Sequence, residues 1–98
     1  MLPKHRISTH PGEILQKEFL EPLSVTQAAF AKHIGVPFQR INEIVKGKRG
    51  ITAETAWLFS KALGTSAEFW MGLQSAHDLT KHRLARPVKR LTVSRRSA

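Results

Sequence analysis

The chain contains no cysteine and no long apolar run. It therefore cannot form a disulfide framework, a thiolate zinc site or a thiol nucleophile. No stretch approaches the roughly 20 apolar residues of a membrane-spanning helix, and residues 1–10 carry charges and a proline where a signal peptide would be apolar. We expect a soluble, cytoplasmic protein that has no contact with a membrane.

Catalytic signatures are also missing. The sequence has no Gly-rich phosphate loop, no Ser/His/Asp constellation and no isolated pair of carboxylates. We therefore expect a protein that is not an enzyme and that uses no cofactor.

Acidic residues are scarce, and the excess of positive charge is unevenly placed. The 98 residues include 16 Lys and Arg against seven Asp and Glu. Residues 79–98 hold seven of the basic residues and no acid, so the body of the chain is only mildly basic. This tail is either a solvated, disordered extension or a phosphate-binding arm.

We predict an N-terminal arm (1–9), one domain for DNA binding and dimerisation (10–84) and a basic tail (85–98).

Helix signals divide the body into five segments of an all-α fold. Helix starts and stops are predicted from N-capping hydroxyls, prolines and glycines. The predicted boundaries are His10-Pro11 to Pro22, Thr26 to Ile34, Pro37 to about Lys46, Thr52 to Gly64, and a capping box at Thr65-Ser66-Ala67-Glu68 that opens the last helix. For residues 88–93 we predict either a short edge strand or an arm.

The second and third segments have the pattern of a helix-turn-helix. Phe30 and Ile34 share one helical face, Ile41 and Ile44 share another, and Gly35 lies where the first helix must end. Two short helices can then pack along one apolar seam. We therefore predict a five-helix, repressor-like helix-turn-helix domain that binds double-stranded DNA, in which the second helix of the pair enters the major groove.

The polar residues of this recognition helix are candidates for reading bases. Gln39 can bond to adenine, Arg40 to guanine, and Phe38 offers apolar surface to a thymine methyl group. Asn42 and Glu43 lie one turn further along. Glu43 either accepts a hydrogen bond from cytosine or forms an ion pair with Arg40.

Residues flanking the recognition helix are candidates for phosphate contacts. Gln27 begins the first helix of the pair, where its amide can meet a phosphate and buttress the recognition helix, or can simply be exposed. Pro37 is expected at the first helical position. Lys46, Lys48 and Arg49 follow the recognition helix and either contact the sugar-phosphate backbone or are solvated surface cations.

A large apolar stripe on the last helix raises the question of self-association. Phe69, Trp70 and Leu73 recur at helical spacing. Such a stripe either packs into the core or forms an interface, and two-fold operators require two-fold proteins. We predict a homodimer through this stripe.

The five histidines do not form a convincing metal site. Asp78 and His82 are four residues apart, with His77 beside them, but no further ligand pair accompanies them. A solvated helix end explains this grouping better, and we predict no metal.

Several motifs together give the sequence a resemblance to a known family, the HigA antitoxins. These motifs are His10-Pro11-Gly12-Glu13-Ile14-Leu15, Gln27-Ala28-Ala29-Phe30-Ala31, Gly47-Lys48-Arg49, Thr52-Ala53-Glu54-Thr55-Ala56 and Glu68-Phe69-Trp70 followed by Leu73-Gln74. The resemblance spans residues 10–79. HigA proteins, also called virulence-associated protein I, belong to the Xre and phage-repressor helix-turn-helix class.

This resemblance implies more than the residue pattern does. It implies a bacterial homodimer that represses its own operon and neutralises a HigB-type toxin, a ribosome-dependent mRNA-cleaving enzyme. By position in the class, Gln27, Phe38, Gln39 and Glu43 match the usual DNA-contacting places. Phe38 departs from the polar residue common there, and a tail without acids departs from what an inhibitor of a cationic ribonuclease would present. The alternative interpretation is a stand-alone transcriptional regulator. A more distant alternative is a protein whose basic tail binds RNA and whose helix-turn-helix is only structural.

Overall fold

The computed structural model describes residues 6–92, and its regular structure is entirely helical in that range. A short α-helix runs directly into a π-helical segment, and together they make the first of five rods. The elements in chain order are α1 (Pro11–Ile14), π1 (Leu15–Leu20), α2 (Gln27–Ile34), α3 (Phe38–Val45), α4 (Ala53–Leu63) and α5 (Ala67–Lys81). The predicted all-α, five-helix fold is confirmed.

The first rod begins at a histidine cap. The His10 Nδ1 atom accepts a hydrogen bond from the Gly12 backbone N–H at 2.9 Å, and Pro11 takes the first helical position, where no N–H is needed. From Leu15 onward the rod widens to π geometry, and the Glu21 N–H donates to the Gln16 carbonyl at 2.9 Å. This wider turn aligns residues five apart. The helix pattern predicted the start of the rod but not the π segment.

The helix-turn-helix unit of α2 and α3 forms as predicted. The Thr26 hydroxyl accepts from the Ala29 N–H at 3.0 Å, and Gly35 ends α2 with a φ of 77°. Pro37, however, is the N-cap of α3, with an extended ψ of 144°, and not its first helical residue. A proline's fixed φ suits both positions, so only ψ, which the sequence does not constrain, separates them.

The last two helices differ from expectation only at one cap. The Thr52 hydroxyl accepts from the Thr55 N–H, and Gly64 ends α4 with a φ of 75°. The predicted capping box at Thr65 is wrong, because Ser66 caps α5. The Thr65 hydroxyl instead accepts from the Trp70 indole N–H at 2.6 Å, so it satisfies a side chain of the core.

One hydrophobic core joins all the helices. Phe59 lies at its centre, with its ring 5.1 Å from that of Trp70 and 5.5 Å from that of Phe30. The buried apolar set is Leu15, Leu20, Phe30, Ala31, Ile41, Ile44, Ile51, Ala56, Phe59, Ala67 and Trp70. Because α2, α3 and α5 all contribute to this core, the helix-turn-helix unit is held by the rest of the domain and is not free to move as a separate hairpin.

The two ends of the described chain behave differently. The Ser8 N–H donates to the buried Thr80 hydroxyl at 2.8 Å, and the Ser8 carbonyl lies 2.8 Å from His77 Nδ1, so residue 8 packs along α5. Residues 83–92 follow α5 with exposed side chains and no strand. Of the two alternatives for residues 88–93, an edge strand or an arm, the strand is absent over residues 88–92, and Val93 lies outside the described residues. The domain boundaries at 9/10 and 84/85 stay predictions.

The histidine cap predicts a dependence of fold stability on pH. Burial, followed by the nearby His77, lowers the pKa of His10 from its usual 6.5. The neutral imidazole, whose Nδ1 can accept, is thus the folded form, and the unfolded chain binds more protons as pH falls below 6.5. We expect the free energy of unfolding to fall in that range. A His10→Asn variant, which keeps an acceptor at the cap, should lose this part of the pH dependence in denaturant titrations.

The matched control is His33→Asn, because His33 is exposed on α2 and caps no helix. An identical acid profile for wild type and His10→Asn would show that the cap does not titrate with folding.

Candidate nucleic-acid interface

The position of α3 is set by a direct backbone contact with the first rod. A Cβ atom added to Gly12 would lie 1.7 Å from the Ile44 carbonyl oxygen, so the helix start at Pro11-Gly12 lies against the backbone of α3. Ile41 and Ile44 are fully buried on the inner side of α3. The outer side is thereby held away from the body, as the recognition helix of a DNA-binding unit must be.

A chain of amide hydrogen bonds links the recognition helix to the first rod. Asn42 Nδ2 donates to Gln27 Oε1 at 3.0 Å, and Gln27 Nε2 donates to Gln16 Oε1 at 3.3 Å. Gln16 Nε2 in turn donates to a Glu21 carboxylate oxygen at 3.1 Å. Each link fixes which end of the next amide faces which way. Gln27 therefore does buttress α3, as predicted, and its contact with phosphate stays a prediction.

The outer face of α3 carries a second cluster, centred on Glu43. Its carboxylate accepts from Gln39 Nε2 at 3.2 Å and from Arg49 Nε at 2.9 Å. Hydrogen bonding from Arg49 holds the pKa of Glu43 below its usual value. The i, i+3 ion pair with Arg40 that the spacing allowed does not form, because the loop after α3 brings the Arg49 guanidinium to Glu43 instead.

Arg40 lies at the edge of this face. Its guanidinium is 3.8 Å from a Glu54 carboxylate oxygen at the start of α4, and its side chain is 33% exposed. An ion pair this long and this exposed contributes little to stability. The guanidinium is therefore free to exchange Glu54 for another acceptor.

The remaining predicted contact residues are accessible. Phe38 is 51% exposed on the first turn of α3, and Pro37 beside it is exposed as well. Lys46, Lys48 and Arg49 are exposed in and around the loop that follows α3. Gln39 is exposed, while Asn42 and Glu43 are half-buried by their hydrogen bonds. The structure thus places all ten predicted residues on or beside one face.

The fold buries one residue of the predicted dimer stripe and leaves the other two accessible. Trp70 is 0% exposed and packs against Phe59, so the prediction that it contributes to an intermolecular surface is wrong. The indole is the largest fully buried side chain of the core and has no surface left for a partner. Phe69 is 41% exposed and Leu73 is half-buried, so both retain accessible apolar surface. A dimer through these two residues stays a prediction.

The part of the chain that the structure describes lacks two other kinds of feature. Between residues 6 and 92, no three or more His, Cys, Asp or Glu side chains are placed to hold a metal ion. In the same range, no helix has both the length and the apolar content needed to cross a bilayer.

The sequence pattern did not predict the supporting roles of Gln16, Glu21 and Gly12. Gln16 and Glu21 enter the amide chain only because the π segment aligns them, and the apolar pattern carries no sign of π geometry. Gly12 carried a signal that could have been used, because glycine is a poor helix former and its presence in a first turn indicates a close backbone approach.

Comparison with known proteins places this geometry in a family. The helix-turn-helix family matches residues 16–70. Antitoxin HigA-1 of Vibrio cholerae is 40% identical over 88 residues, which cover 85% of this chain and 83% of that protein. The chain belongs to the HigA branch of the helix-turn-helix family.

Two further HigA relatives define how far this similarity reaches. Virulence-associated protein I of Dichelobacter nodosus is 47% identical over 70 residues, which cover 71% of this chain and 65% of that protein. The chain therefore spans somewhat less than two thirds of that relative's length. The structure of the Pseudomonas aeruginosa antitoxin HigA with the higBA promoter aligns with a TM-score of 0.74 and 42% identity, covering 76% of this chain and 80% of that one.

Proposed function

We propose that this protein is a sequence-specific DNA-binding antitoxin that represses its own toxin–antitoxin operon. The observation that supports this most is the outer face of α3, where Gln39 is exposed and Arg40 is only weakly paired. The buried side of the same helix is fixed by Ile41, Ile44 and Gly12. A rigid helix that presents an amide and a guanidinium is suited to reading base edges in the major groove.

Each residue of this face has a separate role in the proposal. Gln39 and Arg40 read base edges, and Phe38 contacts a thymine methyl group. Gln39 and Arg49 are hydrogen-bonded to Glu43 in the free protein, so both must leave its carboxylate, or share it, when DNA arrives. Arg49 then joins Lys46 and Lys48 in neutralising backbone phosphates, which sets affinity and not sequence preference. Gln27 and Pro37 lie beside this face and approach the backbone from α2 and the turn.

Base reading predicts a loss that depends on sequence. After selection of a bound duplex from a random pool, Gln39→Ala and Arg40→Ala should each cost about 1–3 kcal/mol of binding free energy on the selected duplex. Both should leave binding to a scrambled duplex nearly unchanged. The measurement is a pair of binding isotherms at one salt concentration.

The control for these variants is Lys61→Ala, because Lys61 is an exposed residue near the end of α4, outside the α3 face. It should bind both duplexes as the wild type does. Equal losses on selected and scrambled DNA for Gln39→Ala and Arg40→Ala would contradict base reading.

The proposed antitoxin also has a protein partner. We propose that it binds a HigB-type toxin, acts as a homodimer in the cytoplasm, and does so without catalysis. The homodimer uses the accessible surface of Phe69 and Leu73. A closely spaced reading frame immediately upstream that encodes a small protein rich in Lys and aromatic residues would support the toxin as partner.

A stand-alone regulator is the second candidate, and one observation favours it. Residues 79–98 contain seven basic residues and no acid, which is unfavourable for masking a cationic ribonuclease. Absence of an adjacent toxin frame, together with sequence-specific DNA binding, would select this alternative.

A further inference from the structure

A polar cavity separates the loop after α3 from the last turns of α5. Its volume is about 320 Å³, and it adjoins the α3 face described above, with which it shares Lys48 and Arg49. The residues that line it include Lys48 and Arg49 on the loop side and Asp78, Lys81 and His82 on the α5 side. None of them is a large apolar residue, so this basic notch, as we call the cavity, suits a charged or strongly hydrated group and not an apolar ligand.

The walls of the basic notch are held in place by a buried amide. Gln74 is only 9% exposed, and its Oε1 accepts from the Ile51 N–H at 2.7 Å, which ties α5 to the start of α4. Its Nε2 donates to Asp78 Oδ1 at 2.8 Å. A Cβ atom on Gly50 would lie 3.1 Å from the Gln74 amide, so the loop backbone lies close against this amide. The notch is therefore a built feature and not a gap between mobile chains.

The charge of the basic notch favours an anion. Three cationic side chains line it, Lys48, Arg49 and Lys81, against the single carboxylate of Asp78. The Asp78 carboxylate already accepts a hydrogen bond, and Arg49 is paired with Glu43. Within residues 6–92, neither Lys48 nor Lys81 forms a salt bridge, so both ammonium groups are available to a further acceptor.

We propose that the basic notch binds a phosphate group of the DNA backbone, beside the bases that α3 reads. This inference rests on the proposed function and extends the DNA contact from the helix-turn-helix unit to α5. Lys48 holds the phosphate from the loop, and Lys81 and His82 hold it from the end of α5. Phosphate is the matching ligand because ammonium groups neutralise it as point charges, while a neutral or protonated imidazole can donate to its oxygens.

The location of the basic notch favours DNA over a free anion. Gly47 lines the notch and follows directly on Lys46, the C-cap of α3, so the cavity begins where the recognition helix ends. Arg49 joins the two sites physically, since it lines the notch and bonds to Glu43 on α3. A strand of DNA whose bases face α3 passes its backbone over this loop.

The test is the salt dependence of DNA binding by single-residue variants. Lys81 and Lys48 are exposed, so Lys81→Gln and Lys48→Gln should fold normally. Each should reduce the slope of log K against log salt by about one unit. The affinity lost between 50 mM and 200 mM salt should accordingly shrink by about 3- to 4-fold for each variant. The reduction should be the same on the selected and scrambled duplexes, and the matched control Lys61→Gln should keep the wild-type slope.

Neutralising the phosphates of the DNA one at a time identifies the phosphate that the basic notch contacts. When methylphosphonate replaces one phosphate at a time along the selected duplex, one position should weaken wild-type binding and leave Lys81→Gln unaffected. A wild-type slope for Lys81→Gln beside a reduced slope for Lys48→Gln would overturn the inference and leave the proposed function intact. Failure of the wild-type protein to distinguish selected from scrambled DNA would instead contradict the proposed function.

Inorganic phosphate serves as the second probe. Titration followed by backbone amide NMR should move the resonances of residues 47–50 and 81–82 only at concentrations that also compete with DNA. If phosphate binds in the notch but Lys81→Gln keeps the wild-type slope on DNA, the site takes a free anion, and the assignment to DNA is overturned.

Discussion

Replacement of Gly12 by alanine should destabilise the protein by about 3 kcal/mol or more, because the new methyl group would overlap the backbone of α3. The added Cβ would lie 1.7 Å from the Ile44 carbonyl oxygen and 2.9 Å from the Val45 Cα. Neither atom belongs to a side chain that can rotate away. Either α1 or α3 must shift, so the outer face of α3 moves and specific DNA binding falls together with stability. Denaturant unfolding followed by tryptophan fluorescence measures the first effect.

Gly72→Ala is the matched control for this prediction. Gly72 lies inside α5, and a Cβ there would meet no atom within 4 Å. Alanine at that site should stabilise the protein by about 0.5–1 kcal/mol, because it costs less backbone entropy in a helix than glycine does. Two glycine-to-alanine changes should thus have opposite signs. Equal unfolding midpoints for Gly12→Ala and wild type would show that α1 does not hold α3 by this contact.

Trp70→Ala should cost about 3–5 kcal/mol of unfolding free energy, as large aromatic-to-alanine changes in a core do. Trp70 is 0% exposed, its ring packs against Phe59, Phe19 and Phe69, and its indole N–H donates to the Thr65 hydroxyl. Truncation leaves a cavity at the junction of α4, α5 and π1. The expected result is therefore a loss of folded protein. Any protein that still folds should keep its oligomeric state, because Trp70 has no exposed surface for self-association.

A second tryptophan provides the comparison. Trp57 is 58% exposed on α4, so Trp57→Ala should change the free energy of unfolding by less than about 1 kcal/mol. The dimer is tested separately with Phe69→Ser and Leu73→Ser, which should yield a folded monomer in light scattering. A stable, folded Trp70→Ala protein that has become monomeric would contradict the assignment of Trp70 to the core.

Capping and turn residues made most of the fold predictable. Thr26, Gly35, Thr52 and Gly64 act on their own helix ends, and each has the predicted role. The two errors at caps have different origins: Pro37 suits both the N-cap and the first helical position, whereas Thr65 and Ser66 are neighbouring hydroxyl residues that could each cap α5. Capping and turn residues therefore determine that a helix begins in a segment. The contacts around that segment determine at which residue the helix begins.

The candidate site was predictable as a set of residues but not as a network. The outward positions of Gln39 and Arg40 follow from the apolar spacing of Ile41 and Ile44. The partner of Glu43 did not follow from helical spacing, because Arg49 reaches it from a loop.

By itself, the sequence determined five helices, a helix-turn-helix between Thr26 and about Lys46, and the face of α3 that lies outward, since periodicity and capping act over a few neighbouring residues. Only the tertiary structure decided that Trp70 lies inside, that Gln16 supports Gln27, and that Lys48 and Lys81 share a cavity. These relations join residues far apart in the chain. They depend on how packed helices are placed in space, which no local pattern encodes.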